Sequence, residues 1–146
     1  MNYDSLYDLN CNYSLQKKDI PLLLSYFKSK KGWIYIAKSK DNPFLKIGRT
    51  AKDPFSRAKS LSSTGVFNEY EIVFSLKFFN HIWAEKLVHQ NLKKFRVNKE
   101  FFSLKEETAF DVFQKTKILE ETLLNRFIKT EIIEEDLNLL EYSLKN

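Results

Sequence analysis

Apolar positions alternate from Trp33 to Lys38, with Ile34 and Ile36 on one face and Trp33, Tyr35 and Ala37 on the other, as in a half-buried strand. Asp41-Asn-Pro43 signals a turn, and Phe44 to Gly48 reads as a second short strand, so the two predict a hairpin. Asp53 followed by Pro54 is an N-cap with proline at the first helical position. Phe55, Ala58, Lys59 and Leu61 continue that short helix until Ser62-Ser-Thr-Gly65 ends it. Glu69 to Phe79 alternates with Val, Ile and Phe and predicts a third, longer strand. Asn80 can cap a helix in which Ile82, Trp83, Leu87 and Leu92 recur at helical spacing as far as Phe95. Asn98 to Ser103 reads as a short extended return. Helical patterning resumes after Leu104 with Phe110, Phe113, Leu119, Leu123, Phe127 and Ile128, breaks softly near Thr130, and ends with Ile133, Leu137 and Leu140.

The first thirteen residues carry no clear period, and weak order is expected there. Ser14 can cap a short helix that Pro21 breaks or restarts, with Leu22, Leu23, Tyr26 and Phe27 as its apolar face. The order β-β-α-β-α, framed by helical additions, predicts an α+β fold with a small three-stranded antiparallel sheet flanked by helices. The chain divides into an N-terminal helical extension (1–31), a central domain (32–104) and a C-terminal helical extension (105–146). No internal repeat is visible.

Composition narrows the class. A chain of 146 residues suits a single core, and 43% hydrophobic with 15% aromatic residues argues against a disordered chain. No run approaches the ~18 consecutive apolar residues of a membrane span, and the N-terminus lacks the basic and apolar regions of an export signal. The lone Cys11 closes no intrachain disulfide and reads as a buried or half-buried thiol. A soluble, cytoplasmic protein is expected. Charge is divided: 19 Lys and Arg face 9 Asp and Glu up to Lys105, while 5 face 10 beyond it. A basic body favours a polyanionic partner. The acidic tail can cover the basic face, pack on the domain, or pair with a second copy to make a homodimer.

Most catalytic chemistries are excluded by inventory. One Cys and two His, His81 and His89, cannot build a Cys-rich zinc site or the HExxH helix. Three glycines form neither a phosphate loop nor a dinucleotide turn, and GxSxG is absent. What remains is Tyr35, Lys46, Arg57, Glu85 and His89 on neighbouring elements. If Ile47 packs inward, Lys46 and Gly48 look outward, and Gly48 lets backbone or phosphate come close. Arg57 offers a planar fork to a phosphate oxygen. Glu85 and His89 share one helix face, and a carboxylate suits Mg²⁺. Arg49, Lys52, Lys59, Lys93, Lys94 and Arg96 can track a nucleic-acid backbone. His81 reads as a capping neighbour, and Glu100-Phe101-Phe102 as packing.

In order, Gly32-Trp-Ile-Tyr35-Ile36, Leu45-Lys-Ile-Gly48-Arg-Thr50, Arg57, Glu85-Lys-Leu-Val-His89 and Glu100-Phe-Phe102 resemble the GIY-YIG endonuclease superfamily, in particular a small phage and bacterial branch with a Lys-Ile-Gly second motif. The resemblance spans roughly Gly32 to Leu104. It implies a shallow basic site that hydrolyses DNA phosphodiester bonds with one divalent metal, Mg²⁺ or Mn²⁺. In that pattern Tyr35 is the general base or water-activating phenol, Arg57 stabilises charge on the phosphate, Glu85 holds the metal, and His89 is an alternative proton carrier. Three departures stand out. The first motif is one residue longer than Gly-Ile-Tyr. Lys46 replaces a tyrosine, where it either lowers the pKa of Tyr35 or holds phosphate. The asparagine that often follows the glutamate has only Asn91 and Asn98 as candidates. A catalytically weak or inactive nucleic-acid-binding module of the same fold is the alternative. An interaction protein assembled through its acidic tail is the third reading.

Overall fold

The structure, a computed structural model, describes residues 2–13, 16–57 and 70–126. Helix α1 spans Ile20–Lys30, strands β1 Gly32–Ser39 and β2 Asn42–Thr50, and β3 Glu71–Phe78. Helix α2 is His81–Asn91, followed by the short strands β4 Arg96–Asn98 and β5 Phe101–Phe102, and by the long helix α3, Glu106–Asn125. Residues 54–57 are helical. The fold is α+β, as its pattern predicts, but the sheet has five strands rather than three, all antiparallel, in the order β3-β1-β2-β5-β4. The return segment near Asn98 is a hairpin that adds to the β2 edge. Its strands are too short for a two-residue period to show.

Side chains partition by face as strand geometry requires. Ile34, Ile36 and Ile47 enter the main core with Phe78, Ala84, Val88, Leu92, Phe102, Ala109 and Phe113. Helices α2 and α3 therefore both contribute to one core, α3 through Ala109 and Phe113. On α2 the buried face is His81, Ala84 and Val88, with Ile82 41% exposed. Of the predicted apolar set, Leu92 enters the core and Trp83 packs against it, while Ile82 faces out and the small Ala84 lets the helix approach the sheet. The Asn80 cap forms, its side chain accepting from Trp83 N at 3.0 Å. Asp53 likewise accepts from Phe55 N at 3.2 Å. The cap at Ser14 and the helical continuation through Lys59 and Leu61 lie outside the described residues, as do Phe127 to Leu140.

A second cluster joins the two ends of the chain. Leu6, Ile20, Leu23, Phe27 and Leu124 are buried together, with Tyr3, Tyr7, Cys11 and Tyr26 packed around them. The leading residues are therefore ordered, contrary to expectation: Tyr3–Tyr7 form a 3₁₀ helix around a fully buried Leu6. Aromatic anchoring replaces periodicity there. Arg126 donates to the carbonyls of Leu6, Asp8 and Leu9, which fastens the segment to the end of α3. Among the described residues, no helix is long and apolar enough to cross a membrane.

Candidate active site

Tyr35 and Gly48 lie opposite one another on β1 and β2, on the sheet face away from Ile34, Ile36 and Ile47. A Cβ at Gly48 would sit 2.6 Å from the Tyr35 hydroxyl oxygen, so only glycine leaves the phenol its place. Lys46, two residues earlier on the same face, puts its Nζ 2.7 Å from Glu100 Oε2. From the helical turn after Pro54, the Arg57 guanidinium acts on the Tyr35 hydroxyl and favours its ionised form. Burial raises the phenol's pKa. Arg57 and Lys46 oppose that shift without overcoming it, so Tyr35 keeps its proton near neutrality.

Glu85 reaches the same locality from α2, and its carboxyl feels the charges of Glu100, Arg49 and Lys46. Oε1 lies 3.5 Å from Arg49 Nε, while Oε2 is buried with no hydrogen-bond partner. Burial first, then the Glu100 charge, pushes the Glu85 carboxyl up to about 7. Arg49 is organised from behind: its Nη1 donates to His81 Nε2 at 3.2 Å, and His81 Nδ1 donates to the Lys30 carbonyl at 2.7 Å. Gly32 makes room for that imidazole, since a Cβ there would lie 2.6 Å from the His81 ring. His81 is thus more than a capping neighbour; it holds the arginine that faces Glu85.

The β2–β5 pairing stops at Lys46, and the edge beyond it is closed by one backbone bond and one side chain. Ile47 N donates to the Glu100 carbonyl at 2.8 Å, and the Ile47 carbonyl accepts from His89 Nε2 at 2.9 Å. The His89 ring also packs on Phe102 at 5.1 Å, and burial lowers its pKa. His89 therefore enters the site with one nitrogen occupied.

Beside Glu85 and His89 runs an open groove of about 790 Å³ that includes Lys86, Lys93, Arg96, Asn98 and Lys99. Of the expected backbone-tracking residues, Lys93 and Arg96 line this groove. Arg49 is engaged with Glu85, Lys94 lies 5.0 Å over the Phe95 ring, and Lys52 is exposed just past β2. Lys59 lies outside the described residues. Glu100 was expected to pack; instead it is a second carboxylate of the site, and only its Lys46 partner, distant in sequence, identifies it.

Among the described residues, no group of three His, Cys, Asp or Glu side chains converges as a metal site. The orphaned Glu85 Oε2 fits a cation that takes one or two carboxylates and completes its shell with water and phosphate oxygens, as Mg²⁺ does. Comparison of the chain with curated proteins and with solved structures gives no match. The T5orf172 domain, a family related to phage endonuclease-like domains, matches residues 32–117, more than half the chain and all of the elements that meet at this site, and the protein belongs to that family.

Proposed function

We propose that the protein is a metal-dependent endonuclease that hydrolyses DNA phosphodiester bonds at the GIY-YIG-like site built from Tyr35, Lys46, Arg57 and Glu85. The observation that carries this reading is convergence: groups from β1, β2, the turn at 54–57 and α2 interact around one sheet edge, and a buried carboxylate oxygen there lacks a partner. Glu85 would hold Mg²⁺ or Mn²⁺. When bound, such an ion supplies Lewis acidity toward a phosphate oxygen and a water acidified for attack. Arg57 and Lys46 present fixed positive charge to the phosphate, which is worth most when preorganised in a partly dry site. Tyr35, kept protonated by burial, acts as a hydrogen-bonding phenol that orients the attacking water rather than as a phenolate base. His89 holds α2 to the β2 edge through Ile47 and so positions Glu85. Lys93, Arg96 and Lys99 along the groove neutralise flanking phosphates.

A second reading, a binding module with weak or no catalysis, is favoured by one observation. Tyr35 has no exposed surface, so its hydroxyl is closed off from solvent. Incubation with single- and double-stranded DNA and Mg²⁺ or Mn²⁺ separates the two. Cleavage that Tyr35→Phe and Glu85→Ala each reduce by at least about 100-fold supports the nuclease. Salt-dependent binding without cutting, unchanged by either substitution, replaces it with the module.

A further inference from the structure

Lys46 occupies the second-motif position where the GIY-YIG pattern has a tyrosine, and its ammonium is held. The side chain is 12% exposed, with Nζ 2.7 Å from Glu100 Oε2 and 5.2 Å over the Phe101 ring. Glu100 is itself held by its backbone: its carbonyl accepts from Ile47 N at 2.8 Å. The turn before it is closed by Lys99 at φ 45° and by the Arg96 side chain bonded to the Lys99 carbonyl. A Cβ on Gly48 would come within 3.3 Å of Glu100 Oε2, and the carboxylate's charge is felt at both Tyr35 and Glu85. The β4–β5 hairpin thus delivers one carboxylate to the centre of the site.

The geometry points to Glu100 as a positioning residue for the cleavage reaction, holding the Lys46 ammonium beside the Tyr35 hydroxyl so that the Lys46–Glu100 pair fills, as one unit, the place of the missing tyrosine. This rests on the nuclease reading. A lysine ammonium on a four-carbon stem spreads over many rotamers unless a partner fixes it, and a spread charge stabilises a transition state less than a fixed one. A carboxylate facing a polyanion weakens ground-state binding. Glu100 therefore opposes affinity and supports turnover, a combination that a surface charge or a purely structural residue does not produce. The pair is part-buried, but Glu100 is the more open partner and a glutamine there keeps an oxygen for the Lys46 ammonium, so that exchange costs folding little.

Glu100→Gln should bind a non-cleavable phosphorothioate oligonucleotide several-fold more tightly, yet lower kcat on the natural oligonucleotide by roughly 10–100-fold, with the melting temperature held. Glu100→Asp, which keeps the carboxylate, should recover most of kcat. Lys46→Met should weaken binding, because it leaves Glu100 unpaired against phosphate. Lys46→Met/Glu100→Gln should restore that binding and cut no more slowly than Lys46→Met alone. Faster cutting by Glu100→Gln, or losses at positions 46 and 100 that multiply, overturns the proposal. If the natural chain binds DNA but leaves it intact, the nuclease reading fails. The positioning role falls with it, and affinity in the double variant then decides whether the two residues still act as a pair. A chain that binds no DNA overturns both.

Discussion

Glu85, half-buried, and Glu120, fully buried, are carboxylates that burial shifts toward the protonated form, yet their surroundings differ. Glu120, with no exposed surface, accepts from Phe79 N at 2.9 Å, from Asn80 N at 3.1 Å and from the Tyr7 hydroxyl at 3.0 Å. Glu85 has one long contact to Arg49 and an oxygen with no partner. Burial and titration alone would class the two together. Hydrogen-bond accounting separates them, since a satisfied carboxylate ties structure together while an unsatisfied one leaves room for a ligand.

The comparison breaks most readily at Glu120. Glu120→Ala leaves two buried N–H groups and the Tyr7 hydroxyl without their acceptor, and chemical denaturation should register a loss of about 3–5 kcal/mol. Cleavage per folded molecule should stay within about threefold; a specific loss of cutting there would erase the distinction. Gly48→Ala tests the opposite region. Its methyl meets the buried Tyr35 hydroxyl, so a loss of about 1–3 kcal/mol is expected together with loss of cleavage.

Glu85→Gln should do the reverse. The folded carboxyl ionises at about 7 against 4.5 for the free group, so the folded state holds the proton more tightly. Its stabilising contribution is complete below the unfolded pKa and is lost as pH rises through about 7. In a metal-free buffer at pH 8 the glutamine variant should therefore be more stable than the natural chain by roughly 1–3 kcal/mol, with the difference gone at pH 4. A gain confined to low pH would reverse the sign and refute the account. The smallest effect is at Tyr7→Phe, which removes one of the bonds to Glu120. Thermal melts should show about 1 kcal/mol of destabilisation, with DNA cleavage unchanged.

Much of the framework was legible because its signals are local. Alternation located β1 and β3, Asn80 and Asp53 announced their helices, and the period of two put Tyr35, Lys46 and Gly48 on one face. The missed features depend on partners distant in the chain. Nothing near Glu100 says that it will meet Lys46, and β4 and β5 are too short to display a period. Arg49 looks like a phosphate contact until α2 brings Glu85 and His81 to it. Glu120 reads as one acidic residue on a charged helix until Tyr7 and the start of α2 close over it. On α2 the large residues that dominate a hydrophobic pattern divide, Leu92 and Trp83 meeting the core and Ile82 facing out, whereas close packing places Ala84 at the contact.

The Glu120 cluster also bears on what counts as one cooperative unit. The T5orf172 match ends at residue 117, just before the carboxylate that holds Phe79 N and Asn80 N, and it excludes the Leu6 and Leu23 cluster. Trimming the polypeptide to those limits would leave the first turn of α2 unbraced, with Glu85 one turn further along. In this protein the family's outline and the packed core do not coincide, and the flanking segments brace the helix that carries Glu85.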